Sequence, residues 1–161
     1  GQLVEQTTHV VDLTRFLLGE AVEVYGRATK GYVTGIDKYT NDDASLVSIQ
    51  FESGAIANIT SCCAVRVGGG VGLTIHAQKT HLVFRDWAMH LRIQCQGQDA
   101  EEVRGEDNIF GVEDARFINA VRTGDRSQIY SPYADGLKSA QLAIVANESI
   151  ETGKPVKIEK V

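Results

Sequence analysis

Ala44-Ser45-Leu46-Val47-Ser48-Ile49-Gln50-Phe51 is followed by Glu52-Ser53-Gly54 and then by Ala55-Ile56-Ala57-Asn58-Ile59-Thr60. Both flanking runs alternate apolar and polar residues, so each places one set of side chains on either face of a strand. The Glu-Ser-Gly connection suits antiparallel neighbours, and the whole stretch reads as a β-hairpin. Upstream, Ala21 to Ala28 alternates in the same way and predicts another strand. Between them, Lys30 to Asp43 is polar and rich in turn residues, a long loop. Further upstream, Val10, Leu13 and Leu17 form an apolar stripe that predicts a helix over Thr8 to Leu18. Thr7 or Thr8 would cap it and Gly19 would stop it.

Downstream, the glycines at 68–70 precede three more short strand signals, Val71 to Ala77, His81 to Phe84 and His90 to Gln94. The period then changes. Val112, Ala115, Ile118 and Val121 predict a helix over Phe110 to Thr123, ending at Gly124. Leu137, Ala140, Ile144 and Val145 predict another over Asp135 to Thr152, ending at Gly153 ahead of Pro155. Val156 to Ile158 reads as a short closing strand. One helix, a run of strands and two late helices define an α+β domain: an open-faced, mostly antiparallel mixed sheet with helices on one face. The other face would stay wet or pair with a second subunit.

The chain has 161 residues, enough for one domain over 1–161, with 43% hydrophobic and 23% charged residues. Its formal net charge of -5 offers no attraction to phosphate backbones or anionic lipid. No apolar run approaches the roughly 20 residues that span a bilayer. The opening Gly1-Gln2-Leu3-Val4-Glu5 has no signal-peptide character and no initiator methionine, so Gly1 is expected to be a cut edge. Cys62, Cys63 and Cys95 are an odd set without CxxC spacing. They point to a reducing, cytoplasmic setting and away from a disulfide framework or a zinc site. Cys62 and Cys63, adjacent in a strand, are expected to be packed thiols on opposite faces.

Chemistry concentrates at the start. Glu5 and His9 lie four residues apart, a spacing that can bring a carboxylate to an imidazole. A carboxylate there sets the tautomer of the histidine and raises its pKa, which suits a proton shuttle near neutral pH. Taken alone, the same pair also reads as a capping or structural pair.

The surrounding residues sharpen this. Gly1-Gln2-Leu3-Val4-Glu5-Gln6-Thr7-Thr8-His9-Val10-Val11-Asp12-Leu13 and Arg15-Phe16-Leu17-Leu18-Gly19-Glu20 resemble the start of the C-terminal domain in the glucose–fructose oxidoreductase/inositol dehydrogenase (Gfo/Idh/MocA) family. The resemblance continues through Asp42-Asp43-Ala44-Ser45, the hairpin, Phe117 to Asp125, Tyr133 to Leu137 and Glu148 to Val156. It implies a two-domain NAD(P)-dependent oxidoreductase acting on a CH-OH group of a sugar, polyol or inositol. The dinucleotide, NAD or NADP, would sit mainly on an N-terminal Rossmann domain absent from this chain. The present residues would form the substrate side, in the open-sheet manner of the glyceraldehyde-3-phosphate dehydrogenase C-terminal domain. By position, His9 would be the acid/base group and Glu5 its partner, with Asp12 one turn on as a structural or substrate-orienting group. The usual aspartate of the family is here Glu5, and the glycine two residues before the histidine is Thr7.

No strand–GxGxxG–helix unit is present, and Gly68-Gly69-Gly70 precedes a strand, so the isolated chain is expected to lack tight dinucleotide binding and turnover. Lys30 and Tyr39 sit on the polar loop, in a segment suited to reach over a substrate pocket or to serve only as a solvated connection. His76, His81 and His90 have no ligand spacing, and no metal is expected. Arg85-Asp86-Trp87 reads as a turn with an aromatic anchor. A homo-oligomer is expected through the open sheet face, and the alternative to an oxidoreductase half is a non-catalytic sugar-binding or dimerisation module of the same fold.

Overall fold

The structure is a computed structural model and describes residues 1–160. In chain order the elements are α1 (Gln2–Glu5), α2 (Thr8–Leu18), β1 (Ala21–Thr29), β2 (Ala44–Phe51), β3 (Ile56–Cys62), β4 (Gly72–His76), β5 (Thr80–Arg85), β6 (His90–Cys95), β7 (Glu101–Val103), α3 (Ile109–Thr123), α4 (Tyr133–Thr152) and β8 (Val156–Lys157). The fold is α+β, as the alternation and helical stripes require. Its strands, however, are shared between two four-stranded sheets, β3-β2-β1-β8 and β4-β5-β6-β7. Every ladder among the described residues is antiparallel, so the expected parallel component is not found. The described residues form two compact units, 1–68 with 133–160, and 69–132.

In the first unit the hairpin pairs Val47 with Ile59 and Ile49 with Ala57. Gly54 turns it at φ +83°, a left-handed value that glycine adopts without a Cβ clash. Alternation decides the burial. Val24, Val47, Ile49, Phe51 and Ile59 point to one face and form the core with Leu3 and Val11 of the N-terminal helices and Leu142, Ala143 and Ala146 of α4. Each large side chain buried there stabilises the fold by about 1.5–3 kcal/mol relative to exposure. The opposite face carries Leu46 and Ile56, 45% and 80% exposed.

Strand β1 meets α4 at Gly26. β8 pairs only with Glu23 and Val24, so the Gly26 amide lies beyond the reach of that short edge strand. It donates instead to Ser149 Oγ at 3.0 Å, and Ser149 passes its own proton to Lys154 O at 2.6 Å. Ser149 is fully buried, and the exchange leaves no orphaned donor at the strand edge. The approach is close enough that a Cβ on Gly26 would stand 2.6 Å from Ile150 Cγ1 and 3.1 Å from Ala146 O. Ile150 can turn aside, but the helix backbone at Ala146 cannot. Gly26→Ala is therefore expected to cost about 1–3 kcal/mol, read as a lower urea midpoint with an unchanged slope. An unchanged midpoint would show that α4 shifts freely on the sheet.

In the second unit β4, β5, β6 and β7 form a meander. Strand β7 has no signal in the sequence because Glu101-Glu102-Val103 is short and fully exposed. Met89 N returns to Asp86 O at 3.2 Å to close the β5–β6 turn, and Trp87 stands 56% exposed on it. His76 and His81 face each other across the β4–β5 hairpin with their rings stacked, centroids 4.6 Å apart. His90 Nδ1 accepts the Gly105 amide at 2.9 Å. Helix α3 ends at the left-handed Gly124 and has no buried residue.

Candidate active site

The first residues form two helices rather than one. Helix α1 closes on Gly1 O, which accepts the Val4 and Glu5 amides at 3.1 and 3.2 Å. Thr7 then starts α2, its carbonyl accepting from Val10 and Val11 at 3.0 Å each. Thr7 occupies the cap position but makes no side-chain capping bond, because its backbone is already helical and its side chain is buried in the junction. Buried Leu3 and Val11 pin the two helices to the core. Glu5 is thus the last residue of α1 and His9 the second of α2, and both side chains are exposed.

Asp12 belongs to a different arrangement. Its Oδ1 accepts the Ser139 hydroxyl at 2.5 Å and lies 3.8 Å from Arg15 Nη1. Arg15, whose side chain is only 4% exposed, reaches Ser139 Oγ at 2.7 Å, both Glu20 carboxylate oxygens at 3.1 Å and Asp135 Oδ1 at 3.2 Å. Lys138 Nζ adds a bond to Glu20 Oε1 at 2.9 Å. Burial alone would lower the Arg15 pKa, but hydrogen bonds to Asp135 and Glu20 outweigh it and hold the guanidinium charged. Burial likewise favours a protonated Glu20, and the bonds from Lys138 and Arg15 overcome it, so its carboxyl lies below the usual range. The Asp12 oxygen described here is therefore engaged in locking α2 to α4.

The loop candidates are also tied down. Lys30 Nζ donates to Thr40 O at 3.0 Å and lies 3.5 Å from Asp42 Oδ1. It lines a cleft of about 380 Å³ beside Gly1, together with Asn147 and Glu151 of α4. Tyr39 Oη sits 2.9 Å from Cys63 Sγ. Both Cys62 and Cys63 are exposed, against the expectation of packed thiols, because they fall where β3 ends and the core has run out. Asp43, which the sequence did not single out, is fully buried: its Oδ2 accepts the Tyr32 and Val33 amides at 2.6 and 3.3 Å. Burial raises the Asp43 pKa, yet those amides and the Tyr39 hydroxyl overcome this and hold it below the aspartate range.

Glu20 and Asp43 both have folded pKa values below their unfolded ones. Their stabilisation is complete above the ordinary carboxylate range and is lost as pH falls through the depressed folded values. The thermal midpoint is expected to decline with acidification over that window, and less steeply in Glu20→Gln. An identical acid dependence in that variant would remove Glu20 from the account.

The structure thus holds Lys30 at a cleft, sets Asp12 in an ion network, and leaves Glu5 and His9 on the exposed surface of consecutive helices. Arg15, Ser139 and Asp43 were missed. An arginine amid helical apolar positions was the one visible hint of the first.

The first unit is an open antiparallel sheet with helices on one face, and Glu5 and His9 are exposed on the two helices at its start. A sequence profile of the GFO/IDH/MocA C-terminal domain matches residues 1–83, just over half the chain, and the chain belongs to that family. No curated protein matches the sequence. Among solved structures, levoglucosan dehydrogenase in complex with NADH and levoglucosan is 19% identical with a TM-score of 0.82, covering 100% of this chain and 51% of that one. An oxidoreductase domain protein from Kribbella flavida is 21% identical with a TM-score of 0.80, covering 99% and 50%. An NAD-binding oxidoreductase from Klebsiella pneumoniae is 18% identical with a TM-score of 0.78, covering 96% and 50%. The chain spans about half the length of these proteins.

Proposed function

We propose that this chain is the C-terminal, substrate-side half of an NAD(P)-dependent oxidoreductase that acts on a CH-OH group of a sugar, polyol or inositol. The observation that carries the reading is the Glu5–His9 pair, exposed on consecutive helices at the start of a domain of this family. Oxidation of an alcohol removes a hydride and a proton. The hydride acceptor is the chemistry a bound nicotinamide supplies. His9 takes or relays the hydroxyl proton through its imidazole, with Glu5 as its carboxylate partner.

The glycine-rich stretch does not form a pyrophosphate cradle. The glycines at 68–70 lead into β4, so no helix N-terminus stands behind them to hold a pyrophosphate. The cofactor belongs on an N-terminal Rossmann domain, and this chain alone is expected to show no turnover. Lys30, at the cleft beside Gly1, is the residue best placed to meet a polyhydroxylated substrate, with Tyr39 on the same loop. Asp12 would orient the substrate only through its free face, since Ser139 holds one oxygen. The uncovered face carrying Leu46 and Ile56 would serve as a homo-oligomer interface. A single monomeric species in analytical ultracentrifugation at high concentration would exclude that interface.

The experiment for the reaction is a nicotinamide-absorbance screen of the full-length protein against inositols, aldoses and lactones with NAD and NADP. Substrate-dependent reduction of the cofactor is expected. A protein that binds cofactor and sugar yet shows no change across the panel would instead be a non-catalytic sugar-binding module.

A further inference from the structure

Two histidines separated along the chain become direct neighbours in the second unit. Strand β4 pairs with β5 so that His76 stands opposite His81. The Ala77 amide donates to Thr80 O at 2.8 Å, which makes the next rung toward the turn a hydrogen-bonded one. His76 and His81 therefore occupy a non-hydrogen-bonded rung, the kind in which facing side chains come closest. Their rings stack with centroids 4.6 Å apart and planes 12° from parallel. His76 is exposed, so the pair is open to solvent on one side.

His81 Nε2 is buried in this arrangement, and no protein group pairs with it. A buried polar nitrogen without a protein partner is uncommon, and a water or an ion is what satisfies it. A second imidazole beside it favours the ion, and of a particular class. Zinc, nickel and copper accept imidazole ligands, whereas magnesium and calcium require oxygen. Zinc–imidazole bonds are about 2.0–2.1 Å long, so one ion bridges two ring nitrogens up to about 4 Å apart. Near-parallel rings at 4.6 Å meet that requirement through a small tilt of the exposed His76 ring. Among the described residues no group of three or more metal-binding side chains is present, so water completes the coordination and the ion exchanges readily.

We propose that His76 and His81 form a two-imidazole site for a divalent transition metal of the zinc class, which clips the edge strand β4 to β5. Among the described residues β4 pairs with β5 alone, and it follows the glycines at 68–70, all of positive φ. An edge strand entered through glycines has few restraints of its own. A cation bonded to both strands binds the closed hairpin and not the open one, and so opposes opening. The site rests on none of the residues assigned to the oxidation.

The test is hydrogen exchange with peptide mass spectrometry on the full-length protein, titrated with zinc chloride and, as a hard-cation control, with magnesium chloride. Peptides covering residues 72–85 are expected to exchange more slowly with zinc and at an unchanged rate with magnesium. At a zinc concentration about ten times the dissociation constant, opening of the hairpin should fall about tenfold. His76→Asn and His81→Asn should each weaken zinc binding at least about tenfold, the cost of losing even an outer partner of a metal ligand. His76 is exposed, so its replacement leaves the fold in place whether or not His81→Asn does. Exchange at 72–85 that is unmoved by millimolar zinc would overturn the site. So would a zinc effect undiminished in His76→Asn, or one confined to peptides around the exposed thiols of Cys62 and Cys63.

Discussion

Replacing His9 by Asn in the full-length protein is expected to lower kcat by about 10²- to 10⁴-fold, the range associated with a positioned acid/base group. Asparagine keeps a polar side chain of similar reach at an exposed helical position, so the fold should be unaffected. KM should change far less than kcat, because the proton moves in the transition state and not on binding. Glu5→Gln should show a smaller loss, as an exposed carboxylate is screened by solvent and interacts only weakly with its surroundings. Turnover of His9→Asn at the unaltered rate on the best substrate would remove His9 from the reaction, while leaving membership of the family intact.

The second large effect belongs to Arg15. Arg15→Met keeps the length and packing of the stem but strips the positive charge from a site ringed by Glu20, Asp135 and Asp12. Lys138 then remains as the counterion to Glu20, and Ser139 loses the donor it shared. A fully buried pair broken in this way costs about 3–5 kcal/mol. Here the three carboxylate side chains are 38–44% exposed and water compensates them in part. The expected loss is therefore about 2–3 kcal/mol, a fall in the thermal midpoint of about 4–12 °C for a chain of this size. Arg15→Lys should lose less, since it retains the charge and gives up only the two-pronged contact with Glu20. A midpoint in Arg15→Met equal to the unaltered protein's would mean that the network contributes geometry without stability.

The elements that were legible share one property: their signals are complete within a few residues. The β2–β3 hairpin is written in two alternating runs and a glycine-bearing turn. Helix α2 was expected over Thr8 to Leu18 and spans those residues. Helices α3 and α4 begin within two residues of the expected Phe110 and Asp135 and end at Thr123 and Thr152 as expected, because Gly124 and Gly153 sit just past them. Helix α1 was not legible, being one turn without a periodic stripe. For the site, the sequence named Glu5, His9, Asp12, Lys30 and Tyr39 but not the partners of the last three. Those partners come from Ser139, from the Thr40–Asp42 segment and from Cys63.

By itself, then, the amino-acid sequence determined the α+β class, the hairpin, the helix ends and the family resemblance, since period, turn chemistry and motif order are local properties. Only the tertiary structure decided the division of the strands into two sheets, the occupation of Asp12 by Ser139 and the burial of Arg15 and Asp43. Arg15 meets Ser139 across 124 residues of chain, and Asp43 reaches back to the amides of Tyr32 and Val33. No local pattern encodes such meetings. A charged residue is stable out of water only when partners from distant segments converge on it, and that convergence is a property of the packed fold.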